Sequence, residues 1–406
     1  MPATRSSDSA MYGAIIVGGG IQGLVAALTA AEQGLRPLVL ERGELGAGAS
    51  TASMGVLHGG LRYLQSLDIG RWYRSRQNQD WFAREFPEHC EPLLCRMPLY
   101  RGALRSPLLF RGAFLAERWL SRLAFSAPRP PALPSPPRVA RGDHALPPQV
   151  TKRGLVGVAE WSELAISDAP ALLAAMAARV EAMGGDIRQQ EEATELAERP
   201  GGGLSLTTRA RGRENSYAGS TVLICAGGGA RSLAARWDRD LPLLSARVLA
   251  FNLLFDRPME PGVALALSAA PGRGRSFFLR AHQGGTLTGT FYHPLPEDLG
   301  REPRPAVPQA LIDRATAEIE RAAPQLRGGR VIEVWAGALP DKTGRGVTLR
   351  NRDLIVDHAK HGGPRGLFTL LGTKLTTARS LALAALERIG PDAGLSDPPG
   401  LWMTTA

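Results

Sequence analysis

Apolar residues recur along this chain in two patterns. In the first, short and largely unbroken apolar runs lead straight into glycine, at Ala14–Val17, Thr221–Cys225 and Leu367–Leu371. A run of four or five apolar residues without polar alternation predicts a parallel strand buried on both faces. Helical composition or spacing follows or intervenes at Leu24–Gln33, Ala169–Met183 and Thr376–Ile389. Ser167 is placed to cap the second of these helices, and Gly184-Gly185 ends it. Pro37–Leu40, Asp186–Leu196 and Leu204–Thr208 read as further strands. The second pattern fills residues 236–347. Arg247–Phe255 and Gly285–Phe291 read as strands there, and Leu311–Ala322 places Leu311, Ile312, Ala315 and Ile319 on one face of a helix. Pro128–Pro137 is too rich in proline for regular structure. No internal repeat is present.

The first apolar run opens a recognisable unit. Gly18, Gly20 and Gly23 form G-x-G-x-x-G between a strand and a helix, and Glu41 ends the next strand. Gly18 allows the tight turn, Gly20 lets backbone approach a pyrophosphate, and Gly23 lets the helix pack on the strand. The helix start at Ile21 and Gln22 offers free N–H groups to phosphate. Glu41 can accept hydrogen bonds from ribose hydroxyls. Strand, turn, helix, strand and acid in this order point to a dinucleotide.

Composition narrows the picture. At 406 residues, 44% hydrophobic and 21% charged, the chain is an ordinary globular protein with room for two domains. Its net charge of +10 comes from scattered arginines with no basic run or DNA-binding motif, which argues against nucleic acid. Three cysteines, Cys90, Cys95 and Cys225, make no disulfide framework and no metal-ligand spacing, so no metal is expected. The low count and a polar leader without a signal-type segment suggest a cytoplasmic protein. No run reaches transmembrane length.

After Glu41 the chain continues through Arg42 into small residues, as far as Tyr63. Such a stretch lets backbone lie close to something large and flat. A nicotinamide enzyme has no need of it, whereas a flavin does.

Ala52-Ser-Met-Gly-Val-Leu-His-Gly-Gly-Leu-Arg-Tyr-Leu64 resembles the flavin-side motif of FAD-dependent glycerol-3-phosphate dehydrogenases, in the D-amino-acid-oxidase-like (DAO) flavoprotein superfamily. Trp161–Asp168 before a long helix, Thr221–Arg231, the pair Arg352-Asp353 and Leu371-Gly-Thr-Lys-Leu-Thr-Thr377 resemble further stretches of that family, in order. The resemblance runs from about Ala14 to Leu386. It implies FAD held by Gly18, Gly20, Ile21, Gln22, Gly23, Glu41, Arg42, Ala49, Ser50, Ser53, Met54, Gly55, Val56, Ala193, Ala226, Gly227, Gly337, Gly372, Thr373, Lys374, Leu375 and Thr376. The family's C-terminal helical extension is expected to be missing.

Flavin dehydrogenation needs a hydride acceptor beside the substrate carbon and a proton acceptor beside its hydroxyl or amine. His58 is the candidate base, because histidine changes charge near neutrality; the alternative is a histidine packed in the flavin-binding turn. Arg62 and Lys374 are candidate catalytic cations, for a substrate anion or for the reduced flavin; the alternative is an ion pair or a contact to the FAD phosphates. Arg352 and Tyr63 are candidate substrate contacts, or a surface cation and a packing ring. Two departures from the family stand out. Gly337-Ala-Leu-Pro340 replaces Gly-Val-Arg-Pro, so Leu339 stands where an arginine would grip a phosphate. Gly289-Thr-Phe-Tyr292 replaces Gly-Thr-Thr-Asp, and with Trp335 it predicts a more aromatic pocket. Glycerol-3-phosphate itself is therefore a poor expectation, and a hydroxy acid or amino acid stays open.

The expected architecture is α/β: a Rossmann-type FAD-binding domain from residues 11–75, 156–235 and 348–390, with an α+β substrate domain on an antiparallel sheet from 76–155 and 236–347. The expected activity is removal of hydride from a CH–OH group. CH–NH oxidation, or a flavoprotein without turnover, is the alternative. Electrons would pass to oxygen, a quinone or a redox partner. Residues 107–126 mix Leu, Phe and Trp with arginine, which suits either peripheral contact at the inner face of a membrane or a lid helix on the substrate domain.

Overall fold

The structure is a computed structural model and describes residues 11–393, apart from 103–105, 126–136, 143–145, 148–149, 271–272, 296–303, 344 and 347. The chain runs β1 (Tyr12–Val17), α1 (Ile21–Glu32), β2 (Pro37–Leu40), β3 (Val56–Leu57), α2 (Leu61–Leu64), α3 (Ile69–Glu85), β4 (Cys90–Tyr100), α4 (Pro107–Ala124), β5 (Arg138–Ala140), β6 (Leu155–Ile166), α5 (Ala169–Ala182) and β7 (Asp186–Arg188). It continues β8 (Glu192–Glu198), β9 (Leu204–Ala210), β10 (Arg213–Ile224), α6 (Ala230–Trp237), β11 (Val248–Phe255), β12 (Val263–Ala270), β13 (Arg273–His282) and β14 (Gly285–Pro294). It ends α7 (Gln309–Ala322), β15 (Val331–Leu339), β16 (Leu354–Asp357), β17 (Leu367–Leu371) and α8 (Ala378–Ala393).

Among the described residues the strands form two sheets. The first has the order β16-β17-β10-β1-β2-β7, with β9 and then β8 added beside the N-terminal half of β10. Its centre is parallel, with β1 between β10 and β2 and β17 beyond β10. The three apolar runs singled out in the sequence are its central strands. Ile15, Ile16, Leu38, Val222, Leu223 and Leu367 are fully buried, and each such side chain contributes about 1.5–3 kcal/mol by leaving water. Helices α1, α5 and α8 pack together on one face, and α6 covers the other.

The second sheet has the order β15-β11-β14-β13-β12-β4-β6-β3, with β5 beside β6. It is antiparallel except where β12 meets β4. Apolar side chains of α7, Ala315 and Ile319, join its core.

Three expectations need correction. Asp168, not Ser167, caps α5: its carboxylate accepts from Ala171 N at 2.9 Å. A capping oxygen must reach the third residue ahead, and Ser167 stands one residue too far out. The strand read as Asp186–Leu196 breaks after Arg188, where Gln190 takes a left-handed backbone (φ 56°). Residues 156–166, expected in the FAD-binding domain, pair with β4, β5 and β3 in the second sheet instead. Pro128–Pro137 lies outside the described residues except for its last residue.

Candidate active site

The parallel strands β1, β10 and β17 all end at one cavity of about 770 Å³, where Val17-Gly18, Cys225-Ala226 and Gly372 line its wall. Ligands of open α/β sheets bind at these carboxyl ends. Gly18 has φ 117°, and a Cβ there would meet the Cys225 carbonyl oxygen at 2.5 Å, so the turn requires glycine. Gly23 does not line the cavity. A Cβ on it would collide with the Gly18 carbonyl, so it lets α1 pack on the turn. No side chain of its own caps α1 at Gly20; Ser50 Oγ accepts from Ile21 N at 2.9 Å instead. The Glu41 carboxylate accepts from Gly19 N and Gly43 N, both at 2.8 Å, and holds the turn from the end of β2. Each carboxylate oxygen has a second lone pair for a ribose hydroxyl.

The segment between β2 and β3 crosses the cavity. Arg42, Ala49, Ser50, Ser53, Met54, Gly55 and Val56 all line it. Two residues of the second sheet clamp this segment. Asn252 donates to the Ala52 carbonyl at 2.7 Å, and Arg280 Nε donates to the Met54 carbonyl at 2.7 Å. Arg280 is buried, and burial pushes its guanidinium down to about 10. Gly337 presses on the segment from β15, because a Cβ there would meet Ala49 Cβ at 2.6 Å. The turn after β17 is tied in as well. Gln22 donates to the Lys374 carbonyl at 3.2 Å, and Asp353 accepts from Thr373 N at 2.9 Å.

His58, Arg62, Tyr63, Tyr292 and Lys374 come together on the cavity wall, and Ala193, Ala226, Gly227, Thr373, Leu375 and Thr376 line it too. Lys374 Nζ donates to Tyr63 Oη and lies 5.0 Å from that ring's centroid. His58 Nδ1 is 3.4 Å from Glu163 Oε1. Glu163 also lines the cavity yet is buried, and it accepts from Gly59 N at 2.6 Å, Gln79 Nε2 at 3.0 Å and Trp161 Nε1 at 3.0 Å. Trp335 and Arg352 are not brought to the cavity. Trp335 donates to Glu333 at 2.6 Å and packs against the cluster formed by Met54, Leu254 and Leu287. Arg352 is exposed, and its neighbour Asp353 is the residue that acts at the site.

Glu163, Asn252, Arg275 and Arg280 were missed by sequence reasoning. The one available signal was an acid inside an apolar strand, at Glu163. Burial pushes the thiols of Cys90 and Cys225 up to about 12 and raises Cys95 as well, so all three are neutral. Among the described residues no three His, Cys, Asp or Glu side chains gather in a form that could hold a metal ion.

The cavity fits FAD. Side-chain-free backbone at Gly18 and Gly20 and the start of α1 face its nucleotide end, and glycines forbid Cβ atoms where backbone closes on it. Residues 14–386 match the FAD dependent oxidoreductase family, DAO. Glycerol-3-phosphate dehydrogenase 1 of Mycobacterium tuberculosis (strain H37Rv) is 30% identical over 400 residues, covering 95% of this chain and 74% of the relative. Glycerol-3-phosphate dehydrogenase from Bacillus halodurans, solved in complex with FAD, superposes with a TM-score of 0.69 at 17% identity, covering 96% of this chain. This chain spans 66% of that structure's length. Glycine oxidase from Geobacillus kaustophilus superposes with a TM-score of 0.66 at 17% identity, covering 94% of this chain and 95% of that one. With the glycine turn, the strand ends and the crossing segment all set around one cavity, the chain belongs to the DAO family of FAD-dependent oxidoreductases, is related to the glycerol-3-phosphate dehydrogenases, and takes FAD as its cofactor.

Proposed function

We propose that this protein removes a hydride from a CH–OH carbon of a small or medium polar substrate, with His58 taking the hydroxyl proton. The pair formed by His58 and buried Glu163 on the cavity wall carries this reading. FAD supplies the hydride acceptor. Glu163, already surrounded by donors, accepts from His58 Nδ1–H, a tautomer assigned from this contact. Nε2 is thereby left with a lone pair for the substrate. When the hydroxyl proton moves to Nε2, the imidazolium faces a buried carboxylate. An alcohol needs such a base, because its proton must leave with the hydride, whereas an amine can bind already neutral. Arg62 and Lys374 offer positive charge to an anionic group of the substrate. The first sheet would hold the cofactor and the second would cover the substrate.

Anaerobic addition of hydroxy acids, polyol phosphates and amino acids to the FAD-loaded protein tests this reading. Bleaching of the flavin bands by an alcohol supports it. Bleaching by an amino acid alone would establish CH–NH oxidation instead, and bands that nothing bleaches would leave a flavoprotein without turnover.

A peripheral membrane contact is favoured by α4. Leu108, Leu115, Trp119 and Leu123 are exposed on it among exposed Arg111, Arg118 and Arg122, while Phe110 on its inner side lines the cavity. This suits a membrane quinone as electron acceptor, with oxygen or a redox protein as the alternatives. Among the described residues no helix is long and apolar enough to cross a membrane. Flotation with anionic phospholipid vesicles, abolished by Trp119→Ser, is the expected result.

A further inference from the structure

The second sheet's wall of the cavity carries a cation that the reaction above does not use. Tyr292, Ala250 and Gly337 stand in register across β14, β11 and β15, and all three line the cavity. Leu339, two residues beyond Gly337, shares its face and also lines the cavity. From β15 this wall therefore receives an apolar side chain. The guanidinium of Arg275 on β13 lies instead over the Tyr292 ring, 3.7 Å from its centroid.

Arg275 and Arg62 line the same cavity. Among the described residues neither guanidinium has a hydrogen bond or salt bridge to an acid. Desolvation lowers the pKa of Arg275; the Glu318 carboxylate opposes that, and the charge of Arg62 adds to it. Glu318 acts without a salt bridge, and Glu163 is committed to its four donors. Two like charges therefore share one wall, with Lys374 as a third, and an aromatic face holds one of them flat. A planar fork held this way matches the geometry of an oxyanion.

We infer that Arg275 anchors the substrate's oxyanion, a carboxylate or a phosphate, from β13 in place of the cation that β15 lacks at Leu339. Tyr292 holds the guanidinium plane, and Arg62 shares the charge. The inference rests on the cavity being a substrate site, as proposed above.

The test is a titration of the FAD-loaded protein at constant ionic strength with inorganic phosphate and, separately, with acetate and benzoate. Flavin absorbance and melting temperature are both followed. A saturable response to one class is expected, and the class that responds identifies the oxyanion. Arg275→Gln should weaken that binding at least tenfold. Arg275→Lys, which keeps the charge but not the fork, should fall between. Arg330→Gln, at a surface pair with Asp256, should change nothing. Leu339→Arg, which leaves Arg275 in place, should tighten binding of the same probe about tenfold, and so tests the site even if Arg275→Gln does not fold. A response to neither class would overturn the inference, as would equal affinity in Arg275→Gln or no gain in Leu339→Arg. Arg275-dependent anion binding to a flavin that no alcohol or amine reduces would refute the oxidoreductase reading alone. Alcohol-dependent bleaching unchanged in Arg275→Gln would refute this inference alone.

Discussion

His58 and Glu163, 105 residues apart in the chain, meet on the cavity wall with Nδ1 3.4 Å from Oε1. Three further donors converge on that carboxylate, from Gly59, Gln79 and Trp161, so it serves purely as an acceptor. The amide of Glu163→Gln would turn one of its positions into a donor facing donors. Flavin content should be kept, while the rate of flavin reduction falls by about 10²-fold or more with little change in KM. The double variant with His58→Gln should be no slower than His58→Gln alone, because two residues acting as one unit lose their effect together. Losses that multiply in stopped-flow reduction would show that the two act separately.

Arg280 reaches from β13 to the Met54 carbonyl, and its Nη2 lies 3.1 Å from where a Gly55 Cβ would stand. It is a buried cation whose work is to fix the segment that crosses the cavity. Arg280→Met keeps the bulk but leaves the Met54 carbonyl without its donor, a loss of about 1–3 kcal/mol. FAD affinity should fall about tenfold, read by flavin fluorescence against apoprotein concentration. A variant that binds FAD as tightly as the parent would show that the segment is held by Asn252 alone.

The nucleotide half of the site was legible because its signals are local. A strand, a glycine turn and a helix fall within twenty residues, and central parallel strands write themselves as unbroken apolar runs. The substrate half was not. Arg280 lies 226 residues from Met54, and nothing marks it or Arg275 among 48 lysines and arginines. The Arg352-Asp353 pair shows the limit of motif reading. The resemblance pointed to the arginine, but backbone geometry turns the aspartate to Thr373 and leaves Arg352 exposed. Trp335 misled for the opposite reason: its composition suggested a pocket, while its indole is bonded to Glu333.

Ser50 supplies the cap that α1 lacks, from 29 residues away. Ser50→Ala removes the acceptor of Ile21 N and should cost about 1 kcal/mol of stability, the usual worth of a capping hydroxyl. The hydroxyl lies at the cavity, where a Gly20 Cβ would come within 3.0 Å of it. FAD affinity should therefore fall along with the melting temperature of the apoprotein. Unchanged denaturant midpoints in both forms would show that water caps the helix equally well.

Away from the cavity, fully buried His358 joins Asp238 at 2.9 Å and Thr369 on β17, also at 2.9 Å. Burial alone would raise the Asp238 carboxyl, but hydrogen bonds from His358 and Arg239 outweigh it and hold the group below its usual value. A carboxyl depressed in the folded state adds stability that is complete above its unfolded pKa of about 3.9 and disappears as pH falls through the lower folded value. The urea midpoint should accordingly fall below about pH 4. Asp238→Asn should flatten that part of the profile and cost about 1–3 kcal/mol at neutral pH, because the amide keeps one acceptor but loses the charge that strengthens the hydrogen bonds from His358 and Arg239. The flavin spectrum should stay as it was, since neither residue lines the cavity. An acid limb as steep in Asp238→Asn as in the parent would assign that loss to other carboxylates.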